Sequence, residues 1–459
     1  MTTINTTTEP TTKTIAGNGR ATHSPILPNE ILSTLNKYIL ADGFDYIIDL
    51  DKTEGVYIHD AVTGKKILDF FTCVASLPLG FNHPKLKEPQ FLAKLTRASI
   101  NKPSLSDIYT IEFAEFVQTF ARVAQPEYLP HAFFIDTGTL AVENALKAAF
   151  DWKIKKNFIK GYREEKGTQI IHFERSFHGR SGYTLSLTNT EKVKTDLFPK
   201  FKWPRIINPS MKFPLNENTL QETERLEQLA IAQITTAFQQ HKDDIAAIII
   251  EPIQGEGGDN HFRKEFFIAL RQLADENEAM LIFDEVQTGV GLTGKMWAHQ
   301  YFVQPDMVAF GKKMQVCGFM CGKRIEEIPD NVFAVSSRLN STWGGNLTDM
   351  VRAQRYLEVI EEDKLVENAQ LVGEHLQQRL QELQQEFPHK VSNARGRGLL
   401  CAFDLPTAEM RNAVKSKCYT DGVIILGSGE RSMRFRPALT IQPNEIDAGM
   451  AIIRKAVQG

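Results

Sequence analysis

Four short runs of the chain are apolar at nearly every position: Gln169–Phe173, Ile245–Ile250, Met280–Phe283 and Asp306–Phe310. Runs without alternation predict strands covered on both faces, as in a parallel sheet. Amphipathic stretches of helical length lie between and around them, at Leu140–Phe158, Leu220–Gln240 and Lys264–Asn277. This alternation predicts an α/β open sheet, mostly parallel, with helices on both faces. From Thr348 to Glu386 the pattern changes to a long charged helical stretch rich in Glu, Gln, Leu and Arg. Short strand candidates follow at Gly398–Phe403, Gly422–Leu426 and Met433–Phe435, so the end of the chain reads as a smaller α+β domain.

Charge and composition narrow the classes. The 459 residues carry 53 Lys plus Arg against 56 Asp plus Glu, a formal charge of −3. That balance gives no bulk electrostatic reason to bind nucleic acid or an anionic membrane surface. The length exceeds what one small core can serve, and two domains are expected. Five cysteines without a C-x-x-C repeat argue against a disulfide scaffold or a zinc knuckle and favour a reducing compartment. No apolar run approaches a membrane span. The Thr-rich start lacks the apolar region of a secretory signal, and residues 1–22 read as a mobile tail. A soluble, cytoplasmic protein is expected.

In open α/β sheets ligands sit beyond the carboxyl ends of the strands. Polar and glycine residues gather at those points: Phe177-His178-Gly179-Arg180 after Phe173, Glu251-Pro252 after Ile250, Asp284-Glu285-Val286-Gln287 after Phe283, and Gly311-Lys312-Lys313 after Phe310. A carboxylate at a strand end is usually a cap or a solvated charge. Lys312 changes that reading, because a Schiff-base lysine and an Asp facing a pyridinium nitrogen are the pair that pyridoxal phosphate requires. Neighbouring side chains of an extended chain point to opposite faces, so only one of Lys312 and Lys313 can enter the site; Lys312 is chosen. Desolvation should lower its amine pKa and make it a nucleophile.

Gly138 and Thr139 open the helix after Asp136-Thr137, where free N–H groups can grip a phosphate. Phe177 and Val286 could cover the two faces of a cofactor ring, with His178 beside them. Gln287 could hydrogen-bond the ring's phenolic oxygen. Arg180 and Arg434 carry the planar guanidinium that a carboxylate clamp calls for. Glu256 could pair with Arg434 and block it until a dicarboxylate arrives. Gly289-Val-Gly-Leu-Thr-Gly294 matches a dinucleotide fingerprint by spacing, but it neither leaves a strand directly nor opens a helix, and a turn is expected. His83, His172 and His299 show no metal-ligand spacing, and no metal is expected.

This ordered set resembles the class III (ω-amino) aminotransferases. It comprises Thr137-Gly138 before Ala141-Val-Glu143, Phe177-His178-Gly179, Glu251-Pro252, Asp284-Glu-Val-Gln287-Thr-Gly289, Pro305-Asp306, Lys312 and Ser341-Thr-Trp-Gly-Gly-Asn346. The resemblance runs from about Asp51 to the C-terminus. Within the class, Leu140–Trp152, Phe177–Asn189 and Phe310–Gly318 are similar to the members that take the ε-amino group of L-lysine.

The resemblance implies a fold-type I homodimer using pyridoxal 5'-phosphate, with active sites at the interface. It makes Lys312 the Schiff-base lysine, with Asp284 facing the pyridine nitrogen. Thr342 would reach the phosphate of the partner subunit's cofactor. Arg180 would hold the distal carboxylate, Arg434 the α-carboxylate of 2-oxoglutarate, and Glu256 would act as the gate, with Asn340 completing the substrate-binding set. The implied division is an N-terminal segment, 23–75, packing with the small domain, a large cofactor-binding domain, 76–345, and a small domain, 346–459. Two departures stand out: Asp136-Thr137-Gly138-Thr139-Leu140 replaces the usual Asn-Ser-Gly-Ala-Glu, and the segment after Lys312 lacks the common glycine run.

Overall fold

The continuous apolar runs become the middle of a seven-stranded sheet. In the computed structural model, which describes residues 25–459, the strand order is His131–Ile135, Cys317–Cys321, Met307–Phe310, Met280–Asp284, Ile245–Ile250, Gln169–Phe173, Arg205–Ile206. The expected tail, residues 1–22, lies outside the described residues. Five of these strands pair in parallel, while Cys317–Cys321 runs antiparallel to both its neighbours.

Alternate residues of the central strands serve two cores. Ile170, Ile249 and Ile282 pack with Val142, Ala145 and Trp152 of the long helix Gly138–Ile159. Ile171, Ile248 and Phe283 pack with Ile234 and Phe238 of helix Glu217–Gln240 and with Phe266 and Leu270 of helix Lys264–Glu276. Both faces are therefore dry, which is why these strands carry no polar alternation. No described helix is long and apolar enough to cross a membrane.

The C-terminal part builds an antiparallel four-stranded sheet in the order Ser392–Arg397, Leu400–Asp404, Ser432–Phe435, Leu426–Ser428. The stretch expected as one helix from Thr348 to Glu386 is two, Leu347–Glu362 and Leu365–Glu386. Lys364 takes a left-handed conformation (φ 51°) and turns the chain between them. Near the start, Tyr57–His59 pairs with Lys66–Asp69, which lies parallel to Val423–Ile424. The fingerprint-like stretch Gly289–Gly294 is a turn, neither leaving a strand directly nor opening a helix.

Candidate active site

The ladder pairs Asp284 with Ala309, so the loops carrying Asp284 and Lys312 leave neighbouring strands at the same edge. Both residues line a cavity of about 220 Å³, together with Gly138, Thr139, Phe177, His178, Gly179, Glu251, Glu256, Val286 and Gln287. The Asp284 carboxylate is held on two sides. His178 Nδ1 lies 2.8 Å from Oδ2, and the Val286 N–H donates to Oδ1 at 3.1 Å. The adjacent Glu285 turns away, accepting from the N–H groups of Ala298 and His299 and from His299 Nδ1.

Lys312 and Lys313 separate, though for a reason other than strand alternation. The chain past Phe310 is a single 3-10 turn, Lys312–Met314, entered with Lys312 in a left-handed conformation (φ 49°). Lys312 faces the cavity, whereas Lys313 Nζ donates to the carbonyls of Gln287 (2.6 Å) and Ala75 (3.5 Å). Burial, reinforced by the charges of Arg434 and Arg436, brings the Lys312 amine down to about 8, with Asp284 and Glu251 opposing.

At the other end of the cavity Gly138 begins a 22-residue helix whose cap, Thr137, makes no side-chain cap bond. Its first N–H groups are therefore not taken up by a capping side chain. A Cβ on Gly138 would sit 2.9 Å from Val286 Cγ1, so only glycine lets the helix start come this close. Asp136, just outside the cavity lining, has its carboxyl raised by burial and by Asp349, with Lys102 opposing.

Two groups without a role in the sequence pattern support the cavity, Glu251 from its wall and Arg436 from behind Gln287. Glu251 accepts from the N–H groups of Phe177 (3.0 Å) and Gly255 (2.9 Å), which sets the loop bearing Phe177. Burial pushes its carboxyl up to about 7, His178 opposing and Asp284 reinforcing. Arg436 is fully buried, ion-pairs with the buried Asp259, and donates through Nε (3.0 Å) and Nη2 (2.9 Å) to Gln287 Oε1. With its oxygen held this way, Gln287 has its NH₂ free to donate elsewhere. The signal for Arg436 was its place two positions after Arg434, on the same face of an extended chain.

The expected pair of Glu256 with Arg434 is absent. Glu256 Oε1 instead accepts from Lys194 Nζ (2.6 Å) and Thr190 Oγ1 (2.8 Å). Arg434 is 6% exposed, and its Nε and Nη1 have no hydrogen-bond partner. Burial and the neighbouring Arg436 lower it to about 10. The physical reason is competition: Lys194 supplies Glu256 with a more solvated cation, which costs less to pair than a buried one. Arg180 is exposed, next to the cavity-lining Gly179. Asn340 and Thr342 are also exposed and lie outside the cavity lining of their own chain.

These residues fit pyridoxal phosphate. The open helix start suits the phosphate, Asp284 the ring nitrogen, Phe177 and Val286 the ring faces, Gln287 the phenolic oxygen, and the Lys312 amine the aldehyde carbon.

The family model described as aminotransferase class-III matches residues 40–457. The chain is 53% identical to an L-lysine-epsilon aminotransferase of Mycobacterium tuberculosis over 97% of its own length and 98% of the relative's. It is 51% identical to one of Streptomyces clavuligerus, covering 93% of this chain and 94% of that one. Among solved structures, the lysine aminotransferase from M. tuberculosis superposes with a TM-score of 0.92 at 53% identity, over 94% of this chain and 99% of that one.

Proposed function

The chain belongs to the class III aminotransferases, which are pyridoxal phosphate enzymes, and on that premise we propose that it moves the ε-amino group of L-lysine to 2-oxoglutarate. The products are 2-aminoadipate 6-semialdehyde and L-glutamate, formed by a ping-pong sequence. The carrying observation is the convergence of Asp284 and Lys312, from adjacent strand ends, on one cavity. The choice of donor is supported by relatives that are named for lysine and match nearly the whole chain.

Bound pyridoxal phosphate supplies an electron sink for the substrate carbon that loses its proton. In this reading Gly138 and Thr139 hold the phosphate through backbone N–H groups, and Asp284, fixed by His178, faces the ring nitrogen. Lys312 Nζ, with its lowered proton affinity, would hold the cofactor at its aldehyde carbon and would carry the proton taken from Cε of the substrate lysine. Arg180 holds the α-carboxylate of lysine, far from the reacting carbon, with Asn340 beside it. Arg434 receives the α-carboxylate of 2-oxoglutarate while Arg180 holds the other, and Glu256 decides whether Arg434 is open.

The working unit in this proposal is a homodimer in the cytoplasm. Ser106 Oγ bonds the Ser341 carbonyl and Lys102 lies over the Trp343 ring, so residues 102–106 and 341–343 form one surface. That surface exposes Trp343, with Ile100, Ile108, Tyr109 and Ile111 flanking it in sequence. Apolar exposure of this kind favours association and would bring Thr342 to the neighbour's phosphate site. The five free cysteines suit a reducing compartment.

Initial rates with L-lysine, ornithine and 4-aminobutyrate, each with 2-oxoglutarate, test the donor. Lysine is expected to be fastest, with no turnover when the oxo acid is omitted. A higher rate with another donor would move the enzyme elsewhere in its class.

A further inference from the structure

A buried guanidinium without a partner is an unsatisfied cation, and Arg434 is one: its Nε and Nη1 are bonded to nothing. Glu256 lines the cavity of Asp284 and Lys312 and lies near enough for its charge to act on Arg434, but its carboxylate is held elsewhere. Its backbone is clamped, because Gly429 N donates to the Glu256 carbonyl at 2.8 Å. Gly429 belongs to the turn of the hairpin Leu426–Ser428 and Ser432–Phe435, the same hairpin that carries Arg434. The main chain of Glu256 is thus fixed relative to Arg434, and only its side-chain torsions can carry the carboxylate between cations. At the far end of that swing wait Lys194 and Thr190, both bonded to Oε1. Lys194 is itself steadied by Glu191 at 3.0 Å. Glu256 and Lys194 are each about one-fifth exposed, enough to keep the pair reversible.

We propose that Lys194, with Thr190, is the holding site for the withdrawn carboxylate of Glu256, and so a positioning residue that sets how readily the enzyme admits a dicarboxylate. The inference rests on the assignment of Arg434 to 2-oxoglutarate made above. Two cations compete for one anion. Whatever weakens the Lys194 end sends Glu256 to Arg434 and closes the second carboxylate site. Donor binding does not use Arg434 and should not respond.

The test uses the holoenzyme and two unreactive probes, glutarate with two carboxylates and pentanoate with one, titrated by calorimetry. Lys194→Met should weaken glutarate about fivefold, the scale of a partly exposed ion pair, and leave pentanoate unchanged. Lys194→Arg should keep glutarate affinity within about twofold of the parent, since it retains the cation. Adding Glu256→Gln to Lys194→Met should restore glutarate binding, because a neutral gate no longer competes for Arg434. In the half-reactions, Lys194→Met should lower kcat/KM for 2-oxoglutarate and not for lysine. An unchanged glutarate affinity in Lys194→Met, an equal loss with pentanoate, or no recovery in the double variant would each overturn the holding site. If Glu256→Gln alone weakens glutarate, the gate itself is wrong, and the underlying assignment fails separately from the role of Lys194.

Discussion

His178 Nδ1 lies 2.8 Å from Asp284 Oδ2, and both buried side chains line the cavity. The imidazole fixes the carboxylate that we propose meets the cofactor nitrogen, so in that reading His178 acts through Asp284. Replacing it with Phe leaves one carboxylate oxygen without its donor. A hydrogen bond to a charged group contributes about 1.5–3 kcal/mol, so kcat should fall roughly ten- to a hundredfold in His178→Phe. Steady-state rates check this, and a loss below twofold would remove His178 from the role.

The Lys312 amine titrates near 8 because burial and the two guanidinium groups disfavour its cation. Only the neutral amine attacks an aldehyde. Cofactor-free protein should therefore combine with pyridoxal phosphate faster as pH rises toward 8, then level off. An ordinary lysine would keep gaining to about 10.4. Stopped-flow absorbance against pH measures the profile. Lys312→Ala should lack the phase, with Lys313 unable to substitute because it is turned to the carbonyls of Gln287 and Ala75.

Gly138→Ala places a Cβ 2.9 Å from Val286 Cγ1 at the start of the helix proposed to face the phosphate. Overpacking of this kind costs about 1–3 kcal/mol. Cofactor affinity should drop roughly thirtyfold, the middle of that range, in equilibrium dialysis. Val286→Ala in the same protein should return most of it by removing the contact.

Arg436 is paired with Asp259 where neither is exposed, and it also holds Gln287. Removing one partner of such a pair leaves an uncompensated charge, which costs about 3–5 kcal/mol. Arg436→Met should lower Tm markedly. Restoring neutrality with Asp259→Asn in the same chain should recover part of the loss.

The parts that sequence reading reaches are those whose pattern is local. Ile245–Ile250 and Met280–Asp284 are doubly covered, and their apolar continuity shows it. Cys317–Cys321 lies outside the apolar runs read as strands, and its Cys-Gly-Phe-Met-Cys carries a glycine at the second position. That glycine lets the strand pass its neighbour, since a Cβ there would sit 2.1 Å from the Phe133 carbonyl oxygen. The break at Lys364 has no Gly or Pro to announce it. Asp284 and Lys312 were legible because each follows an apolar run directly. Glu251 and Arg436 acquire their positions only when distant segments meet, and the side-chain rotation that gives Glu256 to Lys194 leaves no trace in spacing.

The central claim is that Lys312 and Asp284 serve one pyridoxal phosphate site that accepts the ε-amine of lysine. The direct measurement is the absorbance spectrum of the holoenzyme before and after adding L-lysine, with no oxo acid present. The account predicts that the band of the lysine-bound cofactor disappears as a pyridoxamine-like band grows, and that 2-oxoglutarate then restores the first. A band that lysine leaves unchanged would contradict the donor, and a protein that never acquires the band with added cofactor would contradict the site.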